Sequence, residues 1–145
     1  NKAKTKGVQI HLPTDAIAAD RFAADANTQI EPSNAISEDR MGLDIGPKAI
    51  ADFEAVLLQS KTILWNGPMG VFEMPAFENG TKSMALAVAS ATKNGAFSLI
   101  GGGDSAAAVQ KFELSSHVSY VSTGGGALLE YFEGKVLPGV EALEA

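Results

Sequence analysis

The sequence predicts an α/β fold, namely a Rossmann-like parallel sheet with helices on both faces. Short apolar, β-prone runs alternate with stretches of helical periodicity along the later part of the chain. Runs that stay apolar on consecutive residues are typical of parallel strands covered on both faces. Because 46% of the 145 residues are hydrophobic and 19% are charged, the chain has enough apolar material for the core of one domain.

Strands and helices can be assigned in order along the chain. The predicted strands are residues 8–12, 62–65, 97–100 and 118–122. Gly46 and Pro47 open a helix with an apolar stripe, since proline is favoured in a first helical turn; the stripe consists of Ile50, Phe53 and Leu57. Further helices are predicted at residues 81–92, 104–112 and 127–132. Residues 21–41 are polar and lack a helical period, which indicates a hairpin followed by a connecting loop.

The first residues resemble the end of a helix. Residues 1–6 are basic and are followed by Gly7, a pattern typical of a last helical turn and its glycine stop. The sequence does not begin with Met, and no charged-then-apolar leader precedes this turn. We therefore expect further polypeptide upstream of these residues.

Composition excludes several classes of function. The chain has no cysteine, which excludes a disulfide framework, a thiolate zinc site and a cysteine nucleophile, and suits a cytoplasmic protein. Its formal net charge is −6, and Arg21 and Arg40 are its only arginines. A broad basic surface for nucleic acid or a membrane is therefore not expected. No apolar run approaches the ~20 residues that span a bilayer.

Glycine-rich loops follow three of the predicted strands. They are residues 66–70, 101–105 and 123–126. Because ligands of open α/β sheets bind beyond the carboxyl ends of the strands, these loops predict the site. Glycine lets backbone N–H groups approach an oxyanion, and a following helix adds unpaired N–H groups, so a phosphate cradle needs no arginine. The alternative is that the glycines only permit tight strand-to-helix turns.

Asp104 and Ser105 stand at the start of a predicted helix. Asp104 is either an ordinary N-cap or a carboxylate that reaches bound phosphates through Mg²⁺, which prefers one or two carboxylates with phosphate oxygens and water. Ser105 would offer its hydroxyl to the same phosphates. The pattern Gly101-x-Gly103-x-x-Ala106 formally matches a dinucleotide fingerprint, but no acid ends the next strand, and the Walker pattern does not occur.

Several prominent side chains are interpreted as structural. Trp65 ends an apolar strand and is expected to pack in the core. Phe72 and Phe77 are also expected in the core, rather than as a platform for a base. His11 and His117 have no acidic or nucleophilic neighbours in sequence, so a catalytic role is not expected for them.

Taken together, the motifs resemble phosphoglycerate kinase. They agree in order and spacing over essentially all 145 residues, and they read WNGPMGVFE at 65–73, GGGDS at 101–105, STGGGA at 122–127 and GKVLPGVEAL at 134–143. The stretches MGLDIGP at 41–47 and FAADAN at 22–27 fit the same pattern. The resemblance implies a two-domain, cytoplasmic, monomeric enzyme of glycolysis. That enzyme exchanges the acyl phosphate of 1,3-bisphosphoglycerate with MgADP, giving 3-phosphoglycerate and MgATP.

The resemblance also implies how this chain relates to the whole enzyme. Residues 1–145 correspond to the later part of the C-terminal, nucleotide-binding domain. The family's N-terminal domain, which binds the phosphoglycerate, and its Gly-Ala-Lys loop have no counterpart in this sequence. Alternatives that stay open are a non-catalytic fragment that binds adenine nucleotide weakly or only folds, and an unrelated α/β binding module.

Roles for individual residues follow from the matching motif positions. The resemblance implies that the nucleotide contacts Gly42, Asn66, Pro68, Val71 and Glu73, with Glu73 accepting the ribose hydroxyls. It implies that the phosphates and Mg²⁺ lie at Gly101, Gly102, Gly103, Asp104 and Ser105, with Asp104 facing the metal ion. Gly103, Gly125 and Gly126 are the expected catalytic positions, where backbone N–H groups stabilise the phosphoryl group in transfer.

Overall fold

The computed structural model describes residues 1–144, which form two compact units. The first unit consists of Asn1–Leu58 and Met69–Met84. The second consists of Gln59–Pro68 and the chain from Ala85 onward. Each unit is built around its own three-stranded sheet.

An antiparallel sheet forms the centre of the first unit. Its strands β1 (Asp15–Ala19), β2 (Thr28–Pro32) and β3 (Met41–Ile45) are arranged in the order β2-β1-β3. The helices of this unit are α1 (Lys2–Thr5) and α2 (Pro47–Gln59), and a 3₁₀ turn follows at Pro75–Phe77. The hairpin predicted within residues 21–41 is wrong in its bounds, because only β2 lies inside that stretch. Its antiparallel partner β1 ends at Ala19, before the polar stretch begins.

Small side chains let the first unit pack closely. Ala18 and Ala19 on β1 are completely buried, and Leu43 on β3 and Phe77 are buried beside them. Ala19, Leu43 and Phe77 form a core cluster, against which Val71 and Met74 pack. This cluster holds the stretch after residue 69 against the antiparallel sheet.

A parallel sheet forms the centre of the second unit. Strands β4 (Thr62–Asn66), β5 (Phe97–Gly101) and β6 (Tyr120–Ser122) are arranged in the order β4-β5-β6. Helix α3 (Asn79–Lys93) begins in the first unit and ends in the second. It is followed by α4 (Gly103–Lys111), α5 (Gly125–Phe132) and α6 (Pro138–Glu144). The parallel sheet with flanking helices confirms the predicted α/β class.

Two strand predictions need correction. Residues 8–12 pair with none of the described strands, and Val8, Ile10 and Leu12 are 56–73% exposed. An apolar run forms a strand only where a neighbouring strand supplies a ladder of hydrogen bonds. The N–H of Val8 instead donates to the carbonyl of Ala3 (2.9 Å), and none of the described strand pairings includes residues 8–12. The strand predicted at residues 118–122 begins only at Tyr120. Before it, the backbone N–H of Ser98 donates to the hydroxyl of Ser119 (3.1 Å) and the N–H of Ser119 donates to the hydroxyl of Ser98 (3.0 Å), so side chains replace the backbone ladder there.

The predictions for the large side chains are confirmed. Trp65, Phe72 and Phe77 are all buried, at 6%, 6% and 0% exposure, while both histidines are exposed. The predicted helices are all present, with first residues up to two positions earlier than expected. Among residues 1–144, no helix is long and apolar enough to cross a membrane.

Candidate functional site

The three glycine-rich loops begin side by side at one edge of the parallel sheet. Asn66 at the end of β4 pairs with Gly101 at the end of β5, and Gly101 pairs with Ser122 at the end of β6. Because the strands are parallel, the three loops that follow them all leave the sheet at its carboxyl edge. The predicted placement of the three loops at one edge of the sheet is therefore confirmed.

Close packing and backbone conformation explain three of the glycines in two of these loops, namely Gly101, Gly102 and Gly125. Gly102 has φ = 94°, a conformation that favours glycine, and its N–H donates to the carbonyl of Ser122 (3.0 Å). A Cβ on Gly125 would lie 2.6 Å from the Cα of Gly102, and a Cβ on Gly101 would lie 2.6 Å from Cδ2 of Leu128. At these positions, the explanation by tight turns and packing is sufficient.

Packing does not explain Gly103 and Gly126. A Cβ on either residue would meet no atom within 4 Å, and neither residue has a positive φ. Both residues are exposed and lie in the first turn of a helix, α4 or α5. The protein itself would therefore tolerate a side chain at these two positions, and the space beside them is open to a ligand.

The starts of α4 and α5 offer backbone hydrogen-bond donors to this space. Their N-caps are Gly102 and Gly124, and neither residue has a side chain that could cap the helix. The first N–H groups of a helix lack partners within it, and they carry the positive end of its dipole. These features together make an anion site at each helix start chemically reasonable.

Asp104 is the second residue of α4, and its side chain is exposed. The N-cap interpretation of Asp104 is wrong, because Gly102 occupies that position. No group of three or more His, Cys, Asp or Glu side chains within residues 1–144 could hold a metal ion. Asp104 would therefore bind Mg²⁺ only together with oxygens from a ligand and water, and its metal role stays a prediction.

Ser105 is buried, at 1% exposure, and its hydroxyl already has a protein partner. Its Oγ accepts the N–H of Gly67 at 2.7 Å, and the carbonyl of Gly67 accepts the indole N–H of Trp65 at 2.6 Å. Gly67 has φ = 104°. Ser105 therefore fixes the loop after β4, and its proposed contact with phosphate stays a prediction.

Asn66 lies against the packed glycines of the neighbouring loops. Its Oδ1 is 3.0 Å from where a Cβ on Gly102 would lie, and its Nδ2 is 3.7 Å from the same position on Gly125. The structure therefore brings Asn66, Gly102 and Gly125 together. Pro68, two residues after Asn66, is partly buried in the same unit.

The remaining predicted residues belong to the first unit. Gly42 is exposed on β3, and a Cβ there would lie 3.0 Å from Cδ1 of Ile36. Val71 donates its N–H to the carbonyl of Leu43 at 2.9 Å, so the structure places Val71 beside the residue that follows Gly42. Glu73, two residues later, is exposed to solvent.

Sequence reasoning missed two buried polar residues that fix this stretch. Asp44 is 4% exposed, and its carboxylate accepts the N–H groups of Gly80 (2.7 Å) and Ile45 (2.9 Å). Burial raises the pKa of Asp44 to about 6, although both hydrogen bonds act to lower it. Thr81 is fully buried, and its Oγ1 accepts the N–H groups of Met69 (3.0 Å) and Gly70 (3.3 Å). An aspartate inside an otherwise apolar strand was the signal in the sequence.

Comparison with known proteins gives one consistent result. The sequence model of a family described as phosphoglycerate kinase matches residues 1–135. The chain is similar to the phosphoglycerate kinase of Mycobacteroides abscessus, with 59% identity over 136 residues, which are 93% of this chain and 33% of that protein. It is 57% identical over 143 residues to the phosphoglycerate kinase of Porphyromonas gingivalis, covering 99% of this chain and 34% of that protein.

Solved structures agree with the sequence relatives. The phosphoglycerate kinase of Coxiella burnetii matches with a TM-score of 0.88 at 45% identity, covering 97% of this chain and 35% of that one. The enzyme from Pyrococcus horikoshii OT3 matches with a TM-score of 0.75 at 33% identity, covering 91% of this chain and 32% of that one. The chain therefore spans about a third of the length of the relatives that it matches.

Proposed function

The chain belongs to the phosphoglycerate kinase family, whose members are enzymes of glycolysis, and from this premise we propose that it supplies the nucleotide site of such a kinase. The reaction is the reversible transfer of the acyl phosphate of 1,3-bisphosphoglycerate to MgADP, which gives 3-phosphoglycerate and MgATP. The phosphoglycerate binds to the N-terminal domain of the complete enzyme. That enzyme is a cytoplasmic monomer with no nucleic-acid or membrane partner.

The observation that carries this proposal is the open space beside Gly103 and Gly126. Each lies in the first turn of a helix, each lacks a packing or conformational reason to be glycine, and the loops that carry them are packed together at Gly102 and Gly125. Glycine at such positions leaves room for phosphate oxygens to reach the backbone N–H groups. The acidic chain thus binds a polyphosphate through backbone donors rather than through arginines.

The donors of these loops also act on the group in transfer. In phosphoryl transfer the negative charge is spread over the equatorial oxygens, and catalysis consists mainly of positioning and electrostatic stabilisation. The N–H groups at Gly103, Gly125 and Gly126 are held by the packed backbone, so they need little reorganisation during the reaction. Asn66 supports this arrangement from β4, and Gly101 and Gly102 form the turn.

The residues at the phosphate turn fit a magnesium ion that enters with the nucleotide. Asp104 offers one exposed carboxylate in the turn after Gly103, and Mg²⁺ commonly combines one or two carboxylates with phosphate oxygens and water. When bound, the ion neutralises phosphate charge. The hydroxyl of Ser105 adds a polar group next to Asp104, and the oxygen of this hydroxyl also accepts the N–H of Gly67.

The nucleoside part of the ligand is assigned to the remaining residues. Glu73 accepts both ribose hydroxyls, since two adjacent donors suit one carboxylate. Gly42, Pro68 and Val71 provide the surface around the ribose and base. This assignment rests on the family motif, supported by the exposure of Glu73 and by the bond that fixes Val71 to Leu43.

A chimaera tests the proposal directly. The matching 143 residues of the Porphyromonas gingivalis enzyme are replaced by the corresponding residues of this chain, and phosphoglycerate kinase turnover is measured in a coupled assay. Gly103→Ala and Gly126→Ala are then introduced separately. Both variants should fold, because the added Cβ meets no protein atom, but each should lose at least about tenfold in kcat/KM for MgATP.

Gly139→Ala is the matched control for these variants. Gly139 also lies near the start of a helix (α6), has no positive φ, and has no atom within 4 Å of an added Cβ. Its variant should keep full turnover. The proposal fails if the chimaera folds without activity, or if Gly103→Ala and Gly126→Ala are as active as Gly139→Ala.

A further inference from the structure

Residues 70–80, which we call the 70–80 segment, carry Val71 and Glu73 and begin and end at glycines beside one buried carboxylate. A Cβ on Gly70 or on Gly80 would overlap the carboxylate of Asp44, so both ends of the segment approach this side chain more closely than another residue could. Asp44 itself lies on β3, two residues after Gly42. One side chain therefore touches both ends of a stretch of eleven residues.

Hydrogen bonds fix the two ends of the 70–80 segment to different groups. At its end, the N–H of Gly80 in the first turn of α3 donates to Oδ2 of Asp44 at 2.7 Å. The other oxygen, Oδ1, is anchored by the N–H of Ile45 at 2.9 Å. At the beginning, the N–H of Gly70 donates to Oγ1 of Thr81 at 3.3 Å. Because Asp44 is only 4% exposed, its carboxylate interacts with the backbone N–H groups around it and hardly with water.

We propose that Asp44 is a positioning residue for the nucleotide, and that its buried carboxylate holds the 70–80 segment in the conformation that presents Val71 and Glu73 to the ligand. The inference that this conformation serves a nucleotide rests on the function proposed above. The inference that Asp44 holds the segment rests on the geometry alone. Asp44 acts through the segment and does not itself touch the ligand.

Asp44→Asn tests the first part on the 145-residue chain. The two backbone N–H groups reach different oxygens of Asp44, and asparagine has only one oxygen, so its amide nitrogen would face one of the two donors. We expect backbone amides of residues 70–80 to exchange their hydrogens about tenfold faster than in the unmodified chain. Unchanged exchange in this segment would overturn the proposal. If Asp44→Asn does not fold, Asp44→Ser is measured in its place with the same expectation, because its smaller hydroxyl can rotate to accept an amide N–H but cannot replace both carboxylate oxygens.

Asp15→Asn is the matched control in the same unit. Asp15 is also buried, at 8% exposure, and accepts the N–H groups of Lys48 (3.0 Å) and Ala49 (2.7 Å) at the start of α2. It too lies against a glycine, Gly46, where a Cβ would overlap its carboxylate. Its loss should speed exchange in α2 and leave the 70–80 segment unchanged. Equal acceleration in the segment from both variants would show a general loss of stability and overturn the role of Asp44.

The chimaera described above tests the nucleotide part of the proposal. With Asp44→Asn, KM for MgATP should rise about tenfold, while kcat and KM for 3-phosphoglycerate change by less than about twofold. Asp15→Asn should leave KM for MgATP unchanged. A loosened segment with an unchanged KM for MgATP would overturn the positioning role. An inactive chimaera would contradict the proposed function, and the exchange experiment would still decide whether Asp44 holds the segment.

Discussion

The raised pKa of Asp44 predicts an unusual dependence of stability on pH. Below 3.8, the ordinary value, the carboxyl group holds a proton in both the folded and the unfolded chain, and above about 6 it is ionised in both. Between these values the folded state binds a proton that the unfolded state does not. This group therefore stabilises the first unit progressively as the pH falls from about 7 towards 4. The same stabilisation is absent once the pH is above about 6, where the carboxyl group is ionised in both states.

The size of the effect follows from the two pKa values. The full shift corresponds to about 3 kcal/mol, and about 2 kcal/mol of it develops between roughly pH 7.5 and 4.5. The ionisable side chains on the surrounding elements are Asp15 on β1, Glu73 and Glu78 in the 70–80 segment, and Lys82 and Lys93 on α3. None of them contributes to the shift, which arises from burial and is opposed by the amides of Gly80 and Ile45.

Comparison of the unmodified chain with Asp44→Asn isolates this contribution from every other titrating group. Native-state hydrogen exchange of the β1–β3 ladder amides, corrected for the intrinsic pH dependence of exchange, reports the free energy of unfolding of the first unit. From about pH 7.5 to 4.5, the unmodified chain should gain about 2 kcal/mol relative to the variant. A difference that is independent of pH, or that changes in the opposite direction, would refute the reasoning.

Three further predictions concern the proposed nucleotide site. In the chimaera, Glu73→Ala should weaken ATP binding by roughly 1–3 kcal/mol and affect 2′-deoxy-ATP less, as measured by titration calorimetry; equal losses would argue against a ribose role. Asp104→Asn should raise the magnesium concentration needed for half-maximal turnover, because the variant lacks the carboxylate proposed to face Mg²⁺. Its melting temperature should stay unchanged, since Gly102 and not Asp104 is the N-cap of α4. Unfolding of the variant would instead assign Asp104 a structural role. The 145-residue chain alone should show no turnover in a coupled assay, because losing the substrate-holding part removes most of the ~7–11 kcal/mol that positioning contributes. Adding the other two thirds of a relative's chain should restore some turnover. Turnover by the chain alone would contradict this prediction and would require a second phosphoglycerate site within it.

The elements that were predicted correctly are those whose local pattern matches their final environment. Strands β4 and β5 contain consecutive apolar residues at 63–65 and 99–100 and become strands of the parallel sheet, although Leu64 is 41% exposed. The helices were recognised because their apolar residues recur at helical spacing, and only their first turns, which contain glycine or asparagine, were placed too late. The edge that carries the loops followed from strand direction alone.

The antiparallel sheet was less visible because packing, rather than residue preference, creates it. Strand β1 is rich in alanine, which is uncommon in strands, and all three of its alanines are buried. Strand β3 combines a glycine and a buried aspartate with only three apolar residues. Conversely, residues 8–12 have a suitable composition but pair with no strand among residues 1–144, which only the folded chain reveals.

The candidate site was predictable at the level of loops and not at the level of individual glycines. The sequence placed GGGDS and STGGGA at helix starts but did not distinguish Gly102 and Gly125, which pack, from Gly103 and Gly126, which do not. That distinction depends on distances between loops far apart in the chain. Asp44 was missed for the same reason, since its partner Gly80 lies 36 residues away.

The hydrogen bonds around Gly67 give this chain a built-in optical reporter. Trp65 is the only tryptophan, and its indole N–H is bonded to Gly67, which is bonded in turn to Ser105 within α4. A displacement of the first turn of α4 would therefore reach the indole through two hydrogen bonds. The emission of a tryptophan depends on the polarity and hydrogen bonding around its ring, so its wavelength and intensity should follow events at the phosphate turn without any attached dye. Binding and unfolding of the second unit could thus be observed by fluorescence in the unmodified polypeptide.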